Sequence, residues 1–289
     1  MKLFDLHCDS LYRGYTENQP LGENRFHLDL KRGKRLDGWS QCFAVWIPDE
    51  LRGKAAMALF DGCCEKFRRE LAPYRSETFS PVLTVEGGAV LGGKLANLEK
   101  LADRGVKMMT LTWNGENELG GGADTALGLT TFGREALKEM ERLSIVADVS
   151  HASDALFYDV AEIAEKPIVA SHSNARAVCP HPRNLTDRQF QVLRDKGGLV
   201  GLNFCVHFLR EDSNAHFEDL LRHADHFWSL GGETTLCLGS DYDGADVPPE
   251  LDGIEKMQDL YELFLKHNYK ESLVNSLFFD NASKFFATL

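Results

Sequence analysis

The stretch LFDLH at residues 3–7 predicts a buried β-strand, because its residues are mostly apolar and alternate little with polar ones. Seven further apolar runs follow along the chain: QCFAVWI (41–47), PVLTVE (81–86), KMMTLT (107–112), IVADVS (145–150), PIVAS (167–171), LVGLNF (199–204) and LCLGS (236–240). Nearly continuous hydrophobicity is typical of parallel strands that are covered on both faces. The sequence therefore predicts a parallel sheet of eight strands.

Amphipathic stretches with helical spacing separate these runs, for example at 89–105, 134–143 and 186–198. In the last of them, Thr186 and Gln189 fit a capping box at the helix start. Gly197 and Gly198 can adopt the left-handed backbone that ends a helix.

Eight strands that alternate with helices predict an α/β fold, a single (β/α)8 TIM barrel formed by residues 1–289 with a C-terminal helix. An open doubly wound sheet is less well supported, because no GxGxxG motif follows the first strand. The tail at 273–286 predicts the C-terminal helix, with four apolar residues packed against the barrel wall: Leu273, Leu277, Phe278 and Phe285.

The charge balance disfavours nucleic-acid and membrane partners. The 289 residues include 32 Lys+Arg and 44 Asp+Glu, and the formal net charge of -12 repels phosphate backbones and anionic lipids. The sequence has no apolar signal segment and no run of about 18 apolar residues. Its seven cysteines lack a CxxC pair, as expected for reduced thiols. We expect a cytoplasmic protein, and a homodimer remains open because exposed helices of such barrels often pair.

Polar side chains follow the predicted strands at the end where a TIM barrel holds its active site. His7 and Asp9 end the first strand and point to the same side, because they are two residues apart. Glu86 ends the third strand, ahead of Gly87 and Gly88, which allow a sharp turn. The fifth, sixth and eighth strands end in Ser150–His151, Ser171–His172 and Ser240–Asp241. The sequence therefore predicts that three histidines and three carboxylates meet at the barrel mouth.

Such a cluster would be electrostatically unfavourable unless cations neutralised it. Imidazole nitrogen and carboxylate oxygen suit zinc, manganese, iron or cobalt better than calcium, and zinc is the default. Glu86 can bridge two ions because a carboxylate has two oxygens. A first ion would bind His7, Asp9 and Glu86, and a second would bind Glu86, His151 and His172. Two ions about 3.5 to 4 Å apart would hold a hydroxide at neutral pH, which predicts a hydrolase.

Five stretches of the sequence resemble the membrane dipeptidase (renal dipeptidase) family of zinc peptidases, and in particular its shorter bacterial members: DLHCDS (5–10), LTVEGG (83–88), ADVSHASD (147–154), ASHSNARAVCPHPRNLTD (170–187) and GSDYDG (239–244). The resemblance implies that the two ions are divalent and that the ligands are the five just named. It also implies that Arg183 binds the terminal carboxylate of a dipeptide and that Asp241 lies beside the bridging hydroxide. The implied substrates are dipeptides, including those with a D-residue at the carboxyl end.

One position departs from the family pattern. Animal members have a histidine in the motif LTH at the end of strand four, where this chain reads LTWN and places Trp113. The resemblance implies that a histidine there holds or polarises the substrate carbonyl. Either Asn114 or Asn117 substitutes for it, or the substrate differs, so Trp113 and Asn114 are candidate substrate-binding residues.

The hypothesis for the reaction assigns proton transfer to Asp241. The metal-bridging hydroxide attacks the amide carbonyl, and Asp241 takes the hydroxide proton and passes it to the leaving amine. Asp241 could instead serve a turn, although Asp243 fits that role better, and Arg183 could instead pair with Asp187 on the surface. Cys8 lies between two ligands but points to the opposite face of the strand, as a small buried residue.

Two rival functions remain at the level of the sequence. The same metal site could hydrolyse another small substrate, such as a lactone, a cyclic amide or a phosphoester, because such barrels support many chemistries. A non-catalytic barrel that acts as a binding module would be expected to lack a ligand or Asp241, and this chain lacks neither.

Overall fold

The computed structural model describes all 289 residues, and its core is one curled parallel sheet. The sheet contains seven strands: β1 (Lys2–Cys8), β2 (Gly38–Trp46), β3 (Phe79–Glu86), β4 (Val106–Thr110), β5 (Val146–Asp148), β6 (Val200–Leu202) and β7 (Leu236–Leu238). Their order is β5-β4-β3-β2-β1-β7-β6, and all neighbouring pairs are parallel. Each of these strands coincides with a predicted apolar run.

The remaining predicted strand, at 167–171, is present only as two isolated bridges that join β5 to β6. Val169 bridges Asp148 and Ala170 bridges Val200, both in parallel. The Val169 N–H donates to Ala147 O at 3.0 Å, and the Ala170 N–H donates to Leu199 O at 2.9 Å. These bonds close the ring, so the (β/α)8 barrel is confirmed. Segment 168–170 occupies the sixth position of the barrel in chain order and is called here the sixth stave, so β6 and β7 occupy the seventh and eighth positions.

The sixth stave is short because, beyond it, a side-chain carboxylate accepts the backbone N–H groups that would otherwise bond to a neighbouring strand. The Asp148 Oδ1 accepts the N–H of Ser150 and the N–H of Ser171, each at 2.9 Å. These N–H groups therefore donate to a carboxylate rather than to the neighbouring stave. The same bonds explain why β5 ends at Asp148, although its apolar run continues to 150.

Helices follow the strands around the barrel. Their bounds are α1 (Ser10–Thr16), α2 (Leu30–Gly33), α3 (Gly53–Glu70), α4 (Ala96–Asp103), α5 (Thr131–Arg142), α6 (Asp154–Ile163), α7 (Asp187–Asp195), α8 (Val206–Leu209), α9 (Phe217–Ser229), α10 (Met257–Lys266), α11 (Glu271–Asn275) and α12 (Asn281–Phe286). The capping box predicted for α7 is confirmed, because Thr186 and Gln189 exchange both of its hydrogen bonds. Gly197 takes the expected left-handed backbone with φ 70°, whereas Gly198 does not.

The helix predicted at 89–105 is interrupted, so that prediction was wrong in part. A 3-10 turn occupies Gly88–Leu91, and α4 begins only at Ala96. Gly92 and Gly93 separate the two with φ values of 53° and 68°, which a helix cannot contain.

The C-terminal helix is confirmed as α11 and α12 joined by one π-helical stretch at Ser276–Asp280. Leu277 and Phe278 are fully buried, whereas Leu273 and Phe285 are half-buried. This segment also covers a nine-residue apolar cluster contributed mostly by the barrel strands. Phe286 packs on Phe4 of β1 with ring centroids 5.0 Å apart. The segment therefore closes the barrel at the amino-terminal ends of the strands.

None of the helices is both long and apolar enough to cross a bilayer. All seven cysteines are buried and form no disulfide. Burial raises the pKa of the Cys63 and Cys64 thiols to about 12, so this adjacent pair stays protonated at neutral pH.

Candidate metal centre

The six predicted residues converge at the carboxyl ends of the strands, where all of them are buried: His7, Asp9, Glu86, His151, His172 and Asp241. Three overlapping groups have their ligand atoms within 4.8 Å of one another: His7–Asp9–Glu86, Glu86–His151–His172 and His7–His172–Asp241. The first two groups are the two ligand sets expected from the sequence. The third adds Asp241 beside the first set.

A register shift in β1 helps to bring the side chains of His7 and Asp9 into the barrel mouth. The pairing of β1 with β2 slips between Asp5 and Cys8, as in a β-bulge, which re-aims the side chains that follow it. The His7 Nε2 lies 3.3 Å from Asp9 Oδ2. The sequence predicts that both side chains lie at the barrel mouth, but it does not indicate the β-bulge.

Glu86 lies between the two histidine groups. Its Oε1 is 2.8 Å from His151 Nε2 and 3.5 Å from His172 Nε2, and its Oε2 is 3.7 Å from His7 Nε2. Each oxygen of this carboxylate therefore faces a different group. The arrangement suits a carboxylate that holds one ion with each oxygen.

Hydrogen bonds at the far side of each ring set the tautomers of His151 and His172. The His151 Nδ1 donates to Asn114 Oδ1 at 2.8 Å. Ser171 Oγ donates to Asp148 Oδ2 at 2.6 Å, so it accepts from His172 Nδ1 at 2.7 Å. Both rings then carry their proton on Nδ1, which leaves the Nε2 lone pairs available for a metal.

The donor set fits bound cations. The two Nε2 atoms of His151 and His172 lie only 2.8 Å apart, and two lone pairs at that distance repel unless a positive charge lies near them. Burial, with the charges of Arg183 and His7, holds the pKa of His151 well below its usual range, so this ring remains neutral. Burial and the neighbouring His7 lower the pKa of His172 in the same way. Neutral imidazoles are the form that binds metal ions.

The buried carboxylates of the centre are also stabilised by a nearby positive charge. Burial disfavours a charge on His7, but Glu86, Asp9 and Asp241 outweigh it and raise the pKa of His7 to about 10. Burial raises the pKa of Glu86 well above its usual range. The centre thus needs a proton or a cation among these carboxylates, and a divalent ion would compete with the proton for the same place.

Asp241 and His151 both adopt left-handed backbone, with φ 62° and 67°. Non-glycine residues rarely do so, and such residues cluster at functional sites. Gly244 makes room for this geometry, because a Cβ there would collide with the carboxylates of Asp9 and Asp241. The Asn203 Nδ2 donates to Asp241 Oδ2 at 3.0 Å, and Asp241 Oδ1 lies 3.9 Å from His7 Nε2.

Asp243 takes the turn role that was the alternative for Asp241. Its carboxylate accepts from Ser10 Oγ and, at 2.7 Å, from the His27 N–H. It thereby ties the loop after β7 to the start of α1. Asp241 remains available to the metal centre.

Arg183 is buried, with 6% of its surface exposed, and its Nε and Nη2 groups have no hydrogen-bond partner. Its guanidinium lies over the Phe208 ring, 5.3 Å from the centroid. The alternative pair with Asp187 does not form, because Asp187 Oδ1 is bound by His226 Nε2 at 2.7 Å. Unpaired buried donors are energetically unfavourable, and an anion from outside the chain would satisfy them.

A cavity of about 530 Å³ opens above the centre and reaches Arg183, Trp113 and Asn114. Its size lies in the range of small-molecule sites. A second cavity of about 550 Å³ lies at the other end of the barrel, beside Pro167 and Phe285, and contains none of the metal-ligand groups. The chemistry is therefore concentrated at the carboxyl ends of the strands.

The two asparagines considered as substitutes for the family histidine behave differently. Asn114 lines the cavity, but its Oδ1 already accepts from His151. Asn117 stabilises its own loop, because its Nδ2 donates to Leu111 O at 2.9 Å and its Oδ1 accepts the Leu119 N–H at 2.8 Å. Of the two asparagines, only Asn114 is among the residues that line the cavity.

The sequence does not predict the supporting roles of four residues: Asp148, Ser171 and Asn203, which take part in hydrogen bonds that hold His172 and Asp241, and Trp46, which lines the cavity. One signal was present in the sequence. A serine precedes each of His151, His172 and Asp241. Nothing in the sequence indicates which buried carboxylate each serine binds.

Comparisons with known proteins give one consistent result. The model of the membrane dipeptidase family, peptidase family M19, matches residues 1–288. An uncharacterized protein from the pqqA 5' region of Klebsiella pneumoniae is 36% identical over 212 residues, which cover 69% of this chain and 78% of that protein.

Two solved structures share the fold along their whole length. The crystal structure of dipeptidase AC, a metallopeptidase of family M19, superposes with a TM-score of 0.92 at 30% identity and covers 98% of this chain and 97% of its own. A metallopeptidase from Rhodobacter sphaeroides, liganded with a phosphinate mimic of the dipeptide L-Ala-D-Ala, gives 0.89 at 29% identity and covers 99% of both chains. With a family match along the chain and a matching fold, this protein belongs to the membrane dipeptidase family M19 and is a metal-dependent dipeptidase.

Proposed function

We propose that this protein holds two divalent metal ions, zinc by default, and cleaves dipeptides that include those with a D-residue at the carboxyl end. The observation that carries the proposal is the buried Arg183, whose unpaired donors share one cavity with Asp9, Glu86, His151 and Asp241. A dipeptide has the matching parts, a carboxylate and an amide carbonyl. The related Rhodobacter sphaeroides enzyme bound to an L-Ala-D-Ala mimic supports this substrate class.

The metal ligands fall into two sets that share Glu86. His7 and Asp9 would hold one ion with Glu86, and His151 and His172 would hold the other. Bound there, the ions would supply Lewis acidity toward a carbonyl and lower the pKa of a coordinated water. Mixed nitrogen and oxygen ligands support zinc over calcium.

Arg183 positions the substrate in this proposal. Its Nε and Nη2 groups can donate two parallel hydrogen bonds to a terminal carboxylate. Phe208 packs on the guanidinium and restricts its orientation. A dipeptide held this way is fixed at its carboxyl end while its amide bond lies at the centre.

Asp241 moves the proton in this proposal. Burial raises the pKa of Asp241, partly offset by His7, which brings it nearer to the range that suits a general base. Asn203 binds one carboxylate oxygen, and the other faces the centre near His7. That second oxygen would take the proton from the attacking water and deliver it to the leaving amine.

One observation keeps a second substrate class open. Trp113 contributes an indole to the cavity after β4, at the place where the resemblance to the family leads us to expect a histidine. A lactone, cyclic amide or phosphoester could use the same ligands without that group.

The test combines metal analysis with turnover. We expect two equivalents of metal per chain, hydrolysis of L-Ala-D-Ala, loss of that activity after chelation and its return with zinc. Thermal unfolding of the chelated protein should still be cooperative, because the barrel has a core independent of the ions. Hydrolysis of lactones or phosphoesters without any dipeptide turnover would replace this proposal with the second class.

A further inference from the structure

Three aromatic side chains form a continuous surface along one side of the cavity, called here the aromatic wall: Tyr12, Trp46 and Trp113. The Tyr12 and Trp46 rings meet edge to face, with centroids 5.0 Å apart and planes at 80°. Trp46 and Trp113 meet in the same way at 5.1 Å and 64°. The wall ends beside the metal centre, because the Trp113 ring lies 6.3 Å from that of His151.

The aromatic wall and Arg183 belong to opposite parts of the barrel ring. Tyr12 follows β1, Trp46 ends β2 and Trp113 follows β4. Arg183 follows the sixth stave, and its partner Phe208 follows β6. The cluster of metal ligands lies between these two parts. A substrate anchored by its carboxylate at Arg183, with its amide at the ligands, extends its amino-terminal residue toward the wall.

We propose that the aromatic wall binds the side chain of the substrate's amino-terminal residue and selects for large apolar, above all aromatic, side chains. This inference rests on the proposed dipeptidase function and deepens it. Edge-to-face rings accept a further ring at favourable geometry, and burial of an aromatic side chain is strongly stabilising. All three rings are only partly buried by the chain itself, so a bound side chain would cover them further.

A basic side chain is the main competitor, because aromatic faces also attract cations. Two carboxylates that line the same cavity are engaged elsewhere: Asp9 belongs to a candidate metal-ligand group, and Glu17 binds Arg13 Nε at 2.6 Å. In addition, the buried Trp46 Nε1–H has no acceptor in the chain, and the head of a basic side chain, which carries only donors, would not satisfy it.

Trp113 carries the wall to the metal centre. Its ring meets Trp46 at 5.1 Å and lies 6.3 Å from the ring of His151. It thereby extends the wall from the end of β2 to the edge of the second ligand set. Selectivity should therefore depend on Trp113 more than on any other ring.

The experiment measures kcat/KM of the metal-loaded enzyme for X-D-Ala, with Gly, Ala, Leu, Phe and Arg as X. We expect Phe to exceed Ala by about tenfold or more, with Leu between them. Inhibition constants of phosphinate mimics with Phe or Ala at the amino-terminal side should follow the same order, which separates binding from turnover. Equal values for Phe and Ala, or higher values for Arg than for Phe, would overturn the inference.

Variants locate the effect. Trp113→Ala and Trp113→Leu should each bring the Phe-to-Ala ratio close to one, and Trp113→Leu keeps apolar volume in case the smaller side chain disturbs folding. Tyr158→Ala serves as the matched control, because Tyr158 is an exposed aromatic, with 40% of its surface accessible, outside the cavity. A ratio that survives both Trp113 changes contradicts the inference.

The outcomes separate the two proposals. If L-Ala-D-Ala is hydrolysed and larger side chains gain nothing, the aromatic wall is not a subsite and the dipeptidase proposal stands. If no dipeptide of the panel is hydrolysed, both proposals fail together.

Discussion

The Nδ1 of His151 donates a hydrogen bond of 2.8 Å to Oδ1 of Asn114. Asn114 follows β4 and His151 follows β5, so the bond links the loops that follow two adjacent strands at the mouth of the barrel. It also holds the ring with its Nε2 toward Glu86. Asn114, a candidate substrate contact, thus also orients a candidate metal ligand.

Asn114→Ala should weaken binding of the second metal ion by about 10- to 100-fold, because the His151 ring loses the acceptor that fixes its tautomer. Competition with a chromophoric chelator measures the affinity directly. Asn114→Asp keeps an acceptor at the same place and is the matched control. Unchanged affinity in the alanine variant would show that packing alone orients His151.

Ser171→Ala should lower the free energy of unfolding of the metal-free protein by about 1–3 kcal/mol. The variant leaves His172 Nδ1 without an acceptor and removes one donor from the buried carboxylate of Asp148. Urea denaturation after chelation measures the change. Ser272→Ala, at an exposed position in α11, should stay within about 0.5 kcal/mol of the parent.

Asp241→Asn should keep its metal and lose turnover by about 10²- to 10⁴-fold, because an amide cannot accept and return the proton. Metal analysis and kcat on the same preparation separate the two effects. Turnover at the parent rate in a fully loaded variant would remove Asp241 from the proton path.

Arg183→Ala should raise KM for free dipeptides far more than for the same dipeptides with an amidated carboxyl terminus. The free substrates lose a charge-assisted pair with the buried guanidinium, which the amidated ones never form. Equal changes for the two substrate sets would place the carboxylate elsewhere in the cavity.

His223 should make the fold sensitive to mild acid. Its Nδ1 accepts the Ala175 N–H at 3.1 Å, its Nε2 lies 3.1 Å from Leu209 O, and burial lowers its pKa to about 4. The unfolded chain has the ordinary pKa near 6.5 and so binds the proton first. The stability present above pH 6.5 is therefore lost as the pH falls toward 4, by up to about 3 kcal/mol.

The test of this pH effect compares the parent with His223→Gln. Unfolding free energies across pH 4 to 7 should fall more steeply for the parent, since the variant has no proton to take up at this position. Because both proteins keep every residue of the candidate metal centre, titration of the centre cancels in the difference. Parallel curves would assign the acid sensitivity to other groups.

The convergence of the six candidate side chains could be predicted from the sequence because a TIM barrel collects its strand ends at one opening. Apolar runs indicate where the strands lie; Glu86 ends such a run, and His172 directly follows one. His7 and Asp9 are only two residues apart, so both are expected at the same opening without knowledge of the exact end of the first strand.

The finer geometry depends on contacts between distant residues and could not be predicted. The slip of β1 between Asp5 and Cys8 and the left-handed backbone of His151 and Asp241 leave no mark in local composition. The sixth stave is shortened by Asp148, a carboxylate from a different strand. The sequence also does not reveal that the side chain of His151 approaches Asn114, which lines the cavity as well.

The packing of Phe4 against Phe286 joins two segments that are far apart in the sequence. The first strand is also flanked by β7, so one of its two sheet neighbours is synthesised long after it. While the chain emerges from the ribosome, we expect this strand to keep one edge uncovered until β7 has emerged, and its apolar floor uncovered until α12 follows. Nascent chains that stall before these two segments would be targets for chaperones or proteases.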